Sequence, residues 1–141
     1  MANISNYLEE IILDWVFKAN SKSSTPPQAV YLGLAVDEEG VDAELEDGDF
    51  TNEITGYTGN RKLITFGDIA QDNDGRATIK NYDEIEFASM PAVTVGYAFI
   101  SDSATKGEGN VLWWMQVAEP KIMNNGDTLR VPAENIVIML D

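Results

Sequence analysis

The sequence contains no cysteine and no histidine. Without cysteine there is no disulfide framework, no thiolate nucleophile and no Cys-ligated metal site. Without histidine the usual general base near neutral pH and the commonest transition-metal ligand are gone. Every catalytic dyad or triad built on histidine goes with them. Basic residues are scarce: nine Lys and Arg face 24 Asp and Glu, a net charge of −15. Such a surface repels phosphate backbones and anionic lipid, so neither nucleic acid nor membrane is expected as a partner. No apolar run approaches the roughly 18 residues a bilayer crossing needs. The first residues lack a basic start and a small-residue cleavage site, so secretion is not expected. The expectation is a non-enzymatic protein with no cofactor and no metal.

What is present fits one domain over the 141 residues, a length that buries roughly two-thirds of the unfolded surface. We divide it into an N-terminal helix at 1–20, a connector at 21–28 and a β-sandwich at 29–141. In the helix, Ile4, Leu8, Ile11, Ile12, Trp15 and Ala19 recur at three-and-four spacing, with Asn6 or Ser5 as the cap. Leu13, Val16 and Phe17 widen the apolar stripe, as in a helix gripped on more than one side. Beyond the connector the period drops to two, and strands are predicted at 30–36, 62–66, 77–80, 84–88, 93–100, 111–117, 128–131 and 136–140. Turn signals fall at Asp74-Gly75, Gly107 to Asn110 and Asn124 to Asp127. The fold class is mainly β, a β-sandwich or jelly-roll-like domain behind an amphipathic α-helix.

Residues 37–49 hold eight acids in thirteen positions. Burying so many unpaired carboxylates is prohibitive, so a mobile, outward loop is expected. Glu38, Glu39, Asp42, Glu44, Glu46 and Asp47 supply oxygens for a hard cation, but in no recognisable spacing, which favours a solvated loop. Asp72-Asn73-Asp74-Gly75 resembles the start of a calcium loop, yet Ala70 and Asn81 stand where ligands belong, so a hairpin turn is expected. Glu84 and Glu86 share a face as the wet side of a strand rather than as a catalytic pair.

Trp113 and Trp114 are neighbours and point to opposite faces of a strand. Val111, Trp113, Met115 and Val117 form the apolar set expected to face inward. Trp114 then needs another cover: the N-terminal helix, a neighbouring subunit or a stacked sugar. The last strand repeats the pattern, with Val137 and Met139 opposite Ile136, Ile138 and Leu140. This surplus of apolar surface marks a docking face. Ile11, Trp15, Phe17, Trp114, Val137 and Met139 are its candidate interface residues. A carbohydrate-binding module using Trp114, Tyr57 or Tyr82 as a stacking platform is the rival reading.

Ser5, Tyr7, Leu8, Glu9, Leu13 and Asp14 open a pattern that continues in the run from Pro26 to Leu34. It returns in Glu53, in Thr65-Phe66, in the runs from Phe99 to Thr105 and from Gly109 to Trp113, and in Gly126-Asp127, Val131-Pro132-Ala133 and the closing Val137 to Asp141. In these residues the chain resembles a family of small tailed-phage proteins labelled tail fibre proteins. Two departures stand out. Gly56-Tyr57 is separated from Arg61 by Thr58, Gly59 and Asn60, where the family has one residue, and the acidic stretch at 37–49 is an insertion. The resemblance implies a virion structural protein whose partners are copies of itself and other phage virion proteins. It implies a place in the tail or fibre attachment region, with capsid decoration on the phage head as the alternative.

Overall fold

The structure is a computed structural model that describes residues 2–18 and 25–140. It is mainly β, with antiparallel sheets and an N-terminal helix. The expected helix end at Ala19 and much of the connector at 21–28 lie outside the described residues.

Five strands form the main sheet: β1 (Ala2–Ile4), β2 (Val30–Val36), β3 (Lys62–Ile64), β7 (Val93–Ser101) and β8 (Val111–Met123), in the order β1-β8-β7-β2-β3. Period-two alternation in β2 and β7 sends Leu32, Leu34, Ala98 and Ile100 to one face and Ala35, Tyr97 and Phe99 to the other. Gly33 is required where the sheet is tightest: a Cβ there would come within 2.3 Å of the Phe99 ring that crosses it. The first face packs on a layer made of the two-stranded ribbon β6 (Ile85–Phe87) and β9 (Leu129–Val131). Beside it lies a three-stranded sheet, β10-β5-β4, of β4 (Ala70–Gln71), β5 (Ala77–Lys80) and β10 (Val137–Leu140). Phe87, Met90, Ile85 and Ile136 join Leu32, Leu34 and Trp113 in this larger core.

The chain start differs from its sequence pattern. Asn3 and Ile4 belong to β1, paired with Trp114 and Trp113, and α1 (Asn6–Phe17) begins only after them. Ser5 is the cap, because its hydroxyl accepts the Leu8 N–H at 3.2 Å while donating to the Val111 carbonyl. A strand partner along β8 outweighs two further residues of helix.

The acidic stretch also corrects its expectation. Residues Val41–Glu46 form a helix, α2, not a mobile loop, with Val41 and Leu45 buried. The acids sit on its other sides, so burying the apolar pair desolvates no unpaired carboxylate. Its cluster is Ala35, Val41, Leu45, Tyr97, Phe99, Val111 and Trp114, the second core of the molecule. Trp114 is therefore covered by α2, and not by the N-terminal helix, a subunit or a sugar.

Two bulges in β8 break the expected common face of Val111, Trp113, Met115 and Val117. Ser101 pairs with Val111 but Ile100 with Trp113, so Leu112 is extra. Val111 consequently turns to the α2 side, while Leu112 and Trp113 both enter the larger core. Further along, Tyr97 pairs with Gln116 but Val95 with Lys121, which bows residues 117–120 out of the ladder.

Candidate assembly surface

The six candidate interface residues do not gather into one patch. Trp114 is 5% exposed, and its indole N–H donates to Glu46 of α2. Ile11 is also buried, and Trp15 and Val137 are half-buried. Trp114 and Ile11 are thus used up inside the chain. Met139 remains partly exposed on β10, and Phe17 is 73% exposed at the end of α1.

Around Phe17 the surface is continuous. Leu13 and Val16 are 59% and 63% exposed, and positions 13, 16 and 17 share one side of a helix by three-and-four spacing. The inward side of α1 carries Leu8 and Ile11, so the helix has two apolar sides and the chain covers one of them. Covering such side chains is worth about 1.5–3 kcal/mol each when complete. Glu9 and Glu10 lie exposed nearer the helix start, and Asp14 pairs with Lys18 at 3.3 Å.

A second feature lies beside the second β8 bulge. A half-open cleft of about 550 Å³ runs between the main sheet and the smaller layer. Its sheet wall includes Leu34, Ala98 and Met115, and its opposite wall Leu129, Val131 and Ile136. The bowed residues Val117 and Ala118 form its lip, with Glu119, Lys121 and Arg130 on the rim. Arg130 is held by Glu84 at 3.0 Å and by Glu86, which places those two acids on the wet face of a ribbon, as expected. Among the described basic residues, only Lys80 and Lys121 have an ammonium group with no hydrogen bond or ion pair inside the chain.

The buried polar groups serve structure. Arg61, 3% exposed, holds Glu53 through two bonds of 2.8 Å. Its Nη1 group reaches Ser101 Oγ at 2.9 Å and the carbonyls of Ser103 and Glu108 at 3.0 and 2.7 Å. The same guanidinium lies 4.5 Å from the Phe50 ring centroid and 5.1 Å from that of Phe99. Through these bonds the cation ties the β7–β8 loop to the main sheet. Lys106 clamps the same region, donating to the carbonyls of Thr55 and Tyr57 at 2.7 and 2.8 Å. Burial and nearby Lys62 hold its ammonium below the usual lysine range, against the pull of Glu53.

Other candidates resolve along the same lines. Asp72 accepts from the backbone of Asp74 and Arg76 at 2.9 and 3.0 Å, so Asp72 to Gly75 is a hairpin turn. Among the described residues no group of three or more acids gathers to hold a metal ion. Tyr57 is buried and Trp114 nearly so, which leaves neither a face for sugar stacking. Tyr82 alone of the three platforms is open, at 70% exposure beside a shallow cleft of about 400 Å³. No described helix is long and apolar enough to cross a membrane.

Sequence patterning marked Leu13, Val16 and Phe17 as surplus to one helical face but placed only Phe17 among the interface residues, and it missed the cleft altogether. Helical spacing carries that surplus, since the apolar positions of the helix exceed one buried stripe. The bulge beside the cleft has no alternation signal of its own. A family model described as podophage GP4 fiber I protein gp80 matches residues 3–139. No curated protein matches the chain.

Proposed function

This chain belongs to the podophage GP4 fiber I protein family, and we propose that it is a non-enzymatic assembly module of the phage tail or fibre. On this reading it works by docking to copies of itself and to neighbouring virion proteins. The observation that carries it is the uncovered apolar side of α1. Leu13, Val16 and Phe17 sit on a regular, capped helix whose other side is already packed. A helix that needed only intramolecular burial would carry polar residues at those positions. Contiguous exposed apolar surface of this kind marks an interaction site.

Two features support a passive component over an enzyme. The chain has no histidine or cysteine, and its buried charges are committed to structural bonds. The fibre description of the family favours the tail over the head shell. Mass-spectrometric counting of copies in purified particles checks that placement. A small multiple of the tail symmetry is expected, whereas hundreds of copies per particle would assign the protein to the head.

A further inference from the structure

We propose that the open edge of β10 pairs antiparallel with β10 of a second copy, joining two three-stranded sheets into one across a two-fold axis. The inference rests on the assembly reading above and gives it a second surface. β10 is the outer strand of its sheet, with β5 as its one strand neighbour. Hydrogen-bond alternation shows which of its backbone groups that neighbour uses. The Asn81 N–H donates to the Ile136 carbonyl at 3.2 Å, while on the far side of β5 the Gly67 N–H donates to the Lys80 carbonyl at 2.9 Å. Counted by twos along the register, Ile138 and Leu140 bond inward to Ile79 and Ala77. Val137 and Met139 therefore turn their N–H and C=O groups to the open side.

The other open edges are guarded, and this one is not. β3, β6 and β9 carry Lys62, Glu86 and Arg130, and β8 beyond its pairing with β1 carries Glu119, Pro120 and Lys121. β1 and β4 have only three residues and two. Charge, proline and short length are the devices that keep an edge from recruiting another strand. β10 reads Val-Ile-Met-Leu, with neither charge nor proline and an unbroken register on β5, and its Met139 and Leu140 are exposed. Such an edge is a template for pairing.

The strand that fits it is its own copy. A two-fold axis normal to the sheet keeps like faces together, so it must pass through a residue. Through Ile138 it sets Val137 against the partner's Met139 and Ile138 against the partner's Ile138. The outward backbone groups of Val137 and Met139 then meet those of the partner's Met139 and Val137, and none is left over. On the core-facing side the row Ile79, Ile138 continues into the partner's Ile138, a β-branched cross-strand contact. The residues that meet carry no charge, so two copies at −15 approach here without acids opposed in the ladder. The contact uses one surface twice, stops at two chains and draws on no residue of α1.

The chain has no cysteine, so one introduced cysteine can cross-link only to its counterpart. In this register Ile138→Cys brings two Cα atoms to about 4.5 Å, within disulfide reach. Leu140→Cys, at a more exposed position, holds them about 13 Å apart at roughly 3.3 Å per residue. Mild oxidation of the full chain, read on non-reducing gels, should give about tenfold more dimer with Ile138→Cys. Equal cross-linking of the two would mean random collision and overturns the contact. Met139→Pro removes an N–H that β5 does not use, so circular dichroism should stay native. In sedimentation velocity it should weaken self-association by about tenfold or more, since the two-fold doubles each lost bond. Met139→Lys, which puts a charge on the edge, should do the same. If the wild type associates, both Met139 variants match it and Phe17→Asp disrupts it, the β10 pairing is wrong and assembly through α1 stands. A wild type that is monomeric yet binds a particle component also overturns the pairing alone. One that does neither overturns both readings.

Discussion

Arg61 and Glu53 show how a chain with few cations uses one of them. The pair is buried, bidentate and surrounded by carbonyl and hydroxyl acceptors. Desolvating both ions is costly, so such a pair is weak grounds for net stability, but losing one partner leaves the other charged and unpaired. Glu53→Ala should therefore destabilise the fold by about 3–5 kcal/mol, read as a fall in the urea midpoint. Arg61→Lys should also destabilise, because an ammonium cannot reproduce the planar fork that serves Glu53 and the loop together. A midpoint within error of the wild type for both would mean the clamp is incidental. The sequence marked Gly56-Tyr57 and Arg61 only as a departure in spacing from the family, and it did not show their role. Nothing in the spacing of Tyr57 and Arg61 says that the loop from Ser101 to Glu108 will fold back over them.

Among the elements, α2 departs most from its sequence pattern. Eight acids in thirteen residues concealed a short helix, because only Val41 and Leu45 mark its buried side. Two apolar residues four apart are too little signal on their own, and the helix depends on the Trp114 side of the sheet to exist. Leu45→Ala should cost about 2–5 kcal/mol, and it should shift Trp114 emission to the red as water reaches the indole. An unchanged spectrum would show that α2 is not the lid over Trp114. The strands were more legible. Strands 30–36 and 77–80 coincide with β2 and β5, and the expected 111–117 strand is the first half of β8. Its continuation through Pro120 was hidden by the bulge, where the ladder is interrupted and a proline is tolerated.

For the whole molecule, net charge opposes the contact that the exposed side of α1 favours. Two copies, each at −15, repel over a Debye length that shrinks from roughly 30 Å at 0.01 M salt to about 8 Å at 0.15 M. Self-association should therefore strengthen as salt rises through this range, since screening relieves the repulsion while the apolar contact remains. Association that weakens steadily with salt would instead point to an interface held by charge. Sedimentation at three salt concentrations distinguishes the two.

The sequence by itself determined the mainly β architecture, the amphipathic helix, the turns and the kinship with phage fibre proteins. Those follow from local spacing, turn residues and near-continuous family motifs, all of which are written along the chain. The tertiary structure alone decided which apolar surplus is left over. The tryptophan that looked like docking surface is covered by an acidic helix, while three residues assigned to a gripped helix stand in solvent. The physical reason is that a face is buried or free according to what a distant segment does, and the bulges that re-aim β8 arise from pairing between strands, not from either strand's own sequence.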